Sequence, residues 1–233
     1  MYAQDVPSIK EFAEASPEGL ASVITFALLS ARTRFERLQH DVASVRKHGI
    51  DSPALWGWKR DGYLFVQANK ADLHSVEPSR LSVMAAMDLF VSTVPGLGLI
   101  KAGFVCQMLG QEVACLDARN REQLGVDTRF FDMHNKGLSS RTRQRRISEY
   151  LAFSTYTGGA QYWWDDWCNR MGDRLGTTGD DISRQHVKLV RDLDPSAARF
   201  RSESKRAWLN DKGLPVQSSD PLPESYQTTI TRT

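Results

Sequence analysis

Residues 94–117, VPGLGLIKAGFVCQMLGQEVACLD, constrain what this chain can fold into more than any other stretch. Gly96 and Gly98 bracket Leu97, which suits a tight turn where the backbone takes positive φ or approaches another group closely. Ahead of the turn, Leu81, Val83, Met84, Met87, Leu89, Phe90 and Val94 recur at roughly helical spacing, which predicts a buried helix over 80–94 that Pro95 ends. A second helix is expected over 99–109. The amides freed at its start point outward with the helix dipole behind them, and such an arrangement can hold one phosphate.

Written as residue classes, Val94, Gly96, Leu97, Gly98, Ala102, Val105 and Cys106 match the helix-hairpin-helix pattern h-x-G-h-G-x-x-x-A-x-x-h-h at every position. That pattern grips a nucleic-acid backbone and positions a protein on the strand without reading sequence. Gly96, Leu97 and Gly98 are the expected grip, with Leu97 as a plug beneath the turn and small Ala102 letting the helices cross closely. The plainer alternative is an ordinary corner between two helices. Downstream, Val113-Ala-Cys-Leu-Asp117 brings an apolar run to a carboxylate just before a polar helix start at 117–124.

Hairpin, helix and aspartate in this order resemble the helix-hairpin-helix DNA glycosylase superfamily, of the endonuclease III and adenine glycosylase type. Leu116-Asp117 stands where members carry their aspartate. A second match lies upstream, where Leu28-Leu29-Ser30-Ala31 looks like the family's LLSAQ helix end and Arg32 takes the place of its glutamine. The resemblance covers about residues 20 to 125. It implies an all-α, two-lobed fold, with 20–125 as one lobe, 1–19 plus 126–209 as the other, and a DNA cleft between them. It implies Asp117 as the catalytic carboxylate and Arg32 as a wedge that fills the space left by an extruded base. Bifunctional relatives carry a lysine two residues after the second hairpin glycine. Here that position is Ile100, and Lys101 comes one residue later, about 100° further round the helix. Lys101 is therefore expected to aim away from Asp117 and to serve DNA binding, without lyase activity.

Composition narrows the setting. A chain of 233 residues with 41% hydrophobic content can form one substantial domain or two lobes sharing a core. No apolar run approaches the ~20 residues that span a bilayer, and the first residues lack a basic-then-apolar leader, so a cell-internal, cytoplasmic protein is expected. Cys106, Cys115 and Cys168 suggest neither a disulfide framework nor a zinc site, and the four-cysteine iron–sulfur loop of some glycosylases is missing; no cofactor and no metal are expected. A net charge of +2 does not by itself demand nucleic acid, because affinity follows local clustering of Lys and Arg. The densest cluster is Arg141, Arg143, Arg145 and Arg146. Facing a duplex these neutralise phosphates; otherwise they are a solvated helix start.

Elsewhere, Ser8 and Glu11 form a capping box expected to open a first helix, and Ser16-Pro17 a second N-cap. Core helices are expected from Leu20 to Ala31 and from Phe35 to a stop at Gly49, with another turn of helix opened by Ser52-Pro53. Tyr63 to Val66 reads as helix, and residues 69–78 as a polar loop in which His74 is solvated. Trp163, Trp164 and Trp167 can pack into a core, the plainer reading, or stack on an extruded base. His186 falls on a last amphipathic helix, and 210–233 reads as a flexible tail. Three functions fit: a monofunctional DNA N-glycosylase, a base-modifying relative of the phage thymine-hypermodification type, and a non-catalytic helix-hairpin-helix DNA-binding protein. Double-stranded DNA is the partner in each, with a monomer as the default state.

Overall fold

The computed structural model describes residues 1–120 and 138–194. The rest of the helix expected over 117–124, the segment 126–137 with Phe130, Phe131 and His134, and the tail 210–233 lie outside the described residues. The described chain is all-helical, without a β-strand. Its helices are α1 (Tyr2–Ala15), α2 (Pro17–Ser30), α3 (Phe35–His48), α4 (Trp58–Ser75), α5 (Val83–Thr93), α6 (Leu99–Met108), α7 (Ser140–Tyr156), α8 (Gly159–Leu175) and α9 (Gly179–Asp192).

α2 is the axis. Ser16 caps it, its hydroxyl accepting from the Gly19 amide at 3.0 Å, and Pro17 occupies the first helical position. Every residue from Gly19 to Leu29 is buried, on all sides of the helix rather than on one face, because α1, α3, α4, α6 and α9 surround it. A helix apolar all round belongs in an interior. One continuous apolar core runs from Val6 in α1 through Phe26, Met87 and Val105 to Trp163 and Val190.

Several boundaries move. α1 begins at Tyr2 rather than Ser8 and contains Pro7, since Val6 and Ile9 both reach the core. Ser52 opens no helix: its hydroxyl accepts from the Ala54 amide at 3.2 Å, and helix resumes only at Trp58. The polar loop expected from residue 69 is helical as far as Ser75, carried by buried Leu73 on an otherwise polar turn. His74 lies on that helix, its Nε2 3.0 Å from the Glu14 carbonyl. α3 does stop at Gly49, whose φ of 56° ends it, and Ser139 caps α7 by accepting from Thr142 N at 3.3 Å.

Candidate active site

The hairpin comes first. α5 closes with the Val94 amide donating to Phe90 O at 3.0 Å, and Leu97 N then donates to Val94 O at 3.2 Å across the turn. Gly96 has φ of +82°, and a Cβ there would sit 2.4 Å from Trp58 Cε3. Both backbone angle and space therefore require glycine. Gly98 differs: its φ of −85° and ψ of −179° suit any residue, and a Cβ would meet nothing within 4 Å. It precedes α6 without a side-chain cap hydrogen bond. Leu97 is buried beneath the turn, and Val94, Ala102, Val105 and Cys106 are buried behind it.

After α6 the chain runs irregularly through residues 111–117, largely buried and without a strand partner. Buried amides and carbonyls need partners, and side chains supply them here. The Ala114 amide donates to Ser154 Oγ (2.8 Å), that of Cys115 to Gln107 Oε1 (3.0 Å) and that of Leu116 to Tyr150 Oη (3.0 Å). Tyr150 Oη in turn donates to Ala114 O at 2.7 Å. The segment delivers Asp117 to the start of a helical turn at 118–120, where its Oδ1 accepts the Arg119 and Asn120 amides at 3.1 and 3.2 Å. Oδ2 has no hydrogen-bond partner among the described residues. Asn120 is locked in turn, donating to Cys115 O at 2.6 Å and accepting from Arg170 at 2.7 Å. Asp117 is thus an N-cap and also a wall residue of a cavity.

That cavity holds about 560 Å³ of unfilled volume, counted out to its mouth, and its lining includes Ser30, Thr33, Lys101, Asp117, Arg119 and His186 among aromatic rings. Phe104, Trp163, Trp164 and Trp167 supply the rings. Trp163 and Trp164 are core residues, as the plainer reading had it, and all three tryptophans also line the cavity.

Lys101 corrects the sequence expectation. It does not aim away from Asp117 but lines the same cavity, its Nζ donating to Ser30 Oγ at 2.9 Å and lying 5.1 Å from the Phe104 ring centre. The 100° step round α6 turns it toward the end of α2, and the cavity wraps over that face. Its ammonium belongs to the cavity rather than to the hairpin's open amides.

Two further groups were not legible as functional. Lys59, fully buried in α4, donates to Leu29 O at 2.9 Å and Thr33 Oγ1 at 3.0 Å, fastening the turn after α2; burial pushes its pKa down to about 8. His186 stands 5.0 Å from the rings of Phe35 and Trp167 and 5.2 Å from Trp164. Its pKa is pushed down to about 4, chiefly by burial, with Lys101 adding a smaller repulsion and the Ile182 carbonyl opposing both. Hydropathy marked His186 only as part of an amphipathic face. The rings around it come from four elements that spacing along the chain cannot connect.

Arg32 sits in the turn between Ser30 and Thr33, two lining residues, and is exposed with φ of +56°. A non-glycine residue in the left-handed region is uncommon and gathers at functional sites. No ion pair or hydrogen bond holds its guanidinium among the described residues. The basic cluster divides. Arg143 forks onto both carboxylate oxygens of Asp88 on α5, one contact at 3.2 Å, and joins α7 to the helix before the hairpin. Arg145 pairs loosely with Glu149 at 3.9 Å, Arg141 is exposed, and one Arg146 guanidinium nitrogen is buried without a partner among the described residues. Of the four, Arg143 is committed to an ion pair and Arg141 and Arg145 are exposed. Among the described residues no three His, Cys, Asp or Glu gather as metal ligands, and no helix is long and apolar enough to cross a membrane.

Fold and site together define an all-helical protein with an aromatic cavity that carries a capped carboxylate, a lysine and a buried histidine. Comparison of the chain with protein-family models, curated proteins and solved structures finds no match in any of the three.

Proposed function

We propose that this chain is a DNA N-glycosylase-like hydrolase that extrudes a damaged or modified base from a duplex and cuts its N-glycosidic bond. One observation carries the reading: Asp117 lies on the wall of an aromatic cavity whose neighbouring turn holds an exposed, unpaired Arg32 in the left-handed conformation. The fold it implies has two lobes flanking the cavity. In its favour, lining residues come both from 20–125 and from α8 and α9.

The chemistry follows from the groups present. Breaking the bond develops positive charge on the sugar, and a carboxylate fixed in advance stabilises that charge and orients a water. Two amides hold Asp117 Oδ1, so the side chain is placed before substrate arrives and Oδ2 is left for the reaction. The amides after Gly98 anchor a phosphate, Arg32 fills the gap in the stack, and the tryptophans receive the base. Partner and state are a DNA duplex and a monomer.

A second reading draws on the lining charge. Lys101 and Arg119 face one carboxylate, a balance that also suits a base bearing an anionic group, as in a base-modifying enzyme of this kind. The test is mass spectrometry of small molecules released from duplexes carrying damaged and modified bases, with wild type and Asp117→Asn side by side. Free base from wild type alone supports hydrolysis. No release, with salt-dependent duplex binding intact in both, refutes it in favour of modification or binding alone. Borohydride trapping of a protein–DNA adduct, lost in Lys101→Met, would add a lysine step to the hydrolysis.

A further inference from the structure

Hydrogen-bond bookkeeping around the cavity shows how few of its polar groups are free to meet a ligand. Ser30 Oγ donates to Ala27 O at 2.8 Å while accepting from Lys101, and Thr33 Oγ1 accepts from Lys59. Gln107 donates to Ala160 O at 2.8 Å and accepts the Cys115 amide. Asn120 is used at both ends, and the ring N–H groups of Trp163 and Trp164 donate to Thr157 and Ser183.

His186 is different. Its Nδ1 lies 3.0 Å from Ile182 O, and since a carbonyl only accepts, Nδ1 carries the proton. Nε2 is then a bare lone pair with no partner among the described residues, on a side chain 5% exposed that lines the cavity. Protonating it would place a second cation near Lys101 inside a cage of rings. Among the described residues the lining acceptors without a partner are therefore His186 Nε2 and Asp117 Oδ2, and the lining donors with free protons are Lys101, the Arg119 guanidinium and the Trp167 ring N–H.

We infer that His186 reads the edge of the extruded base, accepting from a ring N–H while Lys101 donates to the carbonyl beside it, so the base taken is of the lactam type, like uracil or hypoxanthine. This rests on the function proposed above and names its substrate class. Asp117 is engaged with the sugar, which leaves His186 as the acceptor for the base. Departure chemistry agrees. When the C1′–N bond breaks, its electron pair leaves with the base, and a lactam carries that charge on its oxygen, where Lys101 meets it. Water bonds to C1′ and passes its proton to Asp117, from which it returns to the solvent-exchanged base. An amino-type base such as adenine or cytosine leaves after protonation on a ring nitrogen. A histidine held neutral, with its one proton fixed on Ile182 O, is no acid for that step.

The experiment is equilibrium binding, by fluorescence anisotropy, to duplexes that differ at one mispaired position: uracil against cytosine, hypoxanthine against adenine, and an abasic tetrahydrofuran analogue. Wild type should prefer the lactam member of at least one pair about tenfold, the size of one buried hydrogen bond. His186→Phe, close in shape and still able to pack among the rings, should lose that preference while keeping its affinity for the abasic duplex. His186→Gln, which keeps an acceptor, should recover part of it. Equal binding within both pairs by wild type, preference for the amino members, or a preference that survives His186→Phe overturns the inference while abasic binding leaves the proposed function standing. Failure of wild type to bind any duplex overturns both.

Discussion

Asp117→Asn and Asp117→Ala together separate the two roles that one side chain combines. Oδ1 accepts two amides, at 3.1 and 3.2 Å, and an asparagine oxygen can accept both. Asparagine and aspartate rank nearly equal as N-caps, so the amide variant loses mainly the attraction of a negative charge for the helix start, about 0.3–1 kcal/mol. For a domain of this size that lowers the melting temperature by roughly 1–4 °C. Alanine leaves both amides without their acceptor and costs about 0.5–2 kcal/mol. Catalysis scales differently. Removing a preorganised group that faces developing charge costs about 10²–10³ in rate, and the amide replaces a full charge with a dipole, so release should fall at least that far in both variants. The assay is single-turnover base release beside thermal melts of the three proteins. Equal, large rate losses with unequal, small stability losses are expected. Rate losses that track the melts, with asparagine near wild type and alanine far below, would refute the reasoning and return Asp117 to a structural cap.

Gly96→Ala should cost about 2–4 kcal/mol in urea denaturation, combining left-handed strain with the Trp58 clash, whereas Gly98→Ala should cost under about 1 kcal/mol yet weaken duplex binding, measured by anisotropy. Arg32→Ala should leave the melting temperature within about 2 °C, since no partner is lost, but reduce single-turnover release by tenfold or more; an unchanged rate would remove the wedge role. His186 has a folded pKa of about 4 against 6.5 unfolded, so between those values the unfolded chain binds more protons and stability falls as pH drops. His186→Phe should flatten the stability profile between pH 6.5 and 4 relative to wild type, as followed by urea denaturation, and a parallel profile would contradict it.

Local signals carried well where local physics decides. The cap at Ser16, the stop at Gly49 and the glycine turn before α6 all stand where their residues placed them. Polarity misled where few anchors suffice: one buried leucine, Leu73, keeps the end of α4 helical among charged neighbours. α1 began earlier than its capping box because Val6 reaches the core, a tertiary contact that outweighs a local cap. That Asp117 would stand at the start of a helical turn was legible, being fixed by short-range order along the chain. Lys101 was misjudged because a helical wheel gives an angle but not which neighbour lies at that angle. The surroundings of His186 and Lys59 were invisible in the sequence, since they are assembled from segments about 20 or more residues away, Leu29 in one case and Trp164 and Phe104 among others in the other.

α7 touches the hairpin through Arg143 on Asp88 and the carboxylate segment through Tyr150 and Ser154. Eleven residues separate the first of these from the last, about 16 Å of rigid helix. The strut works as a ruler, fixing the spacing between α5, which leads into the glycine turn, and the segment that carries Asp117. Inserting one alanine within it would turn every later side chain by about 100°, detuning the two ends against each other while each remained intact.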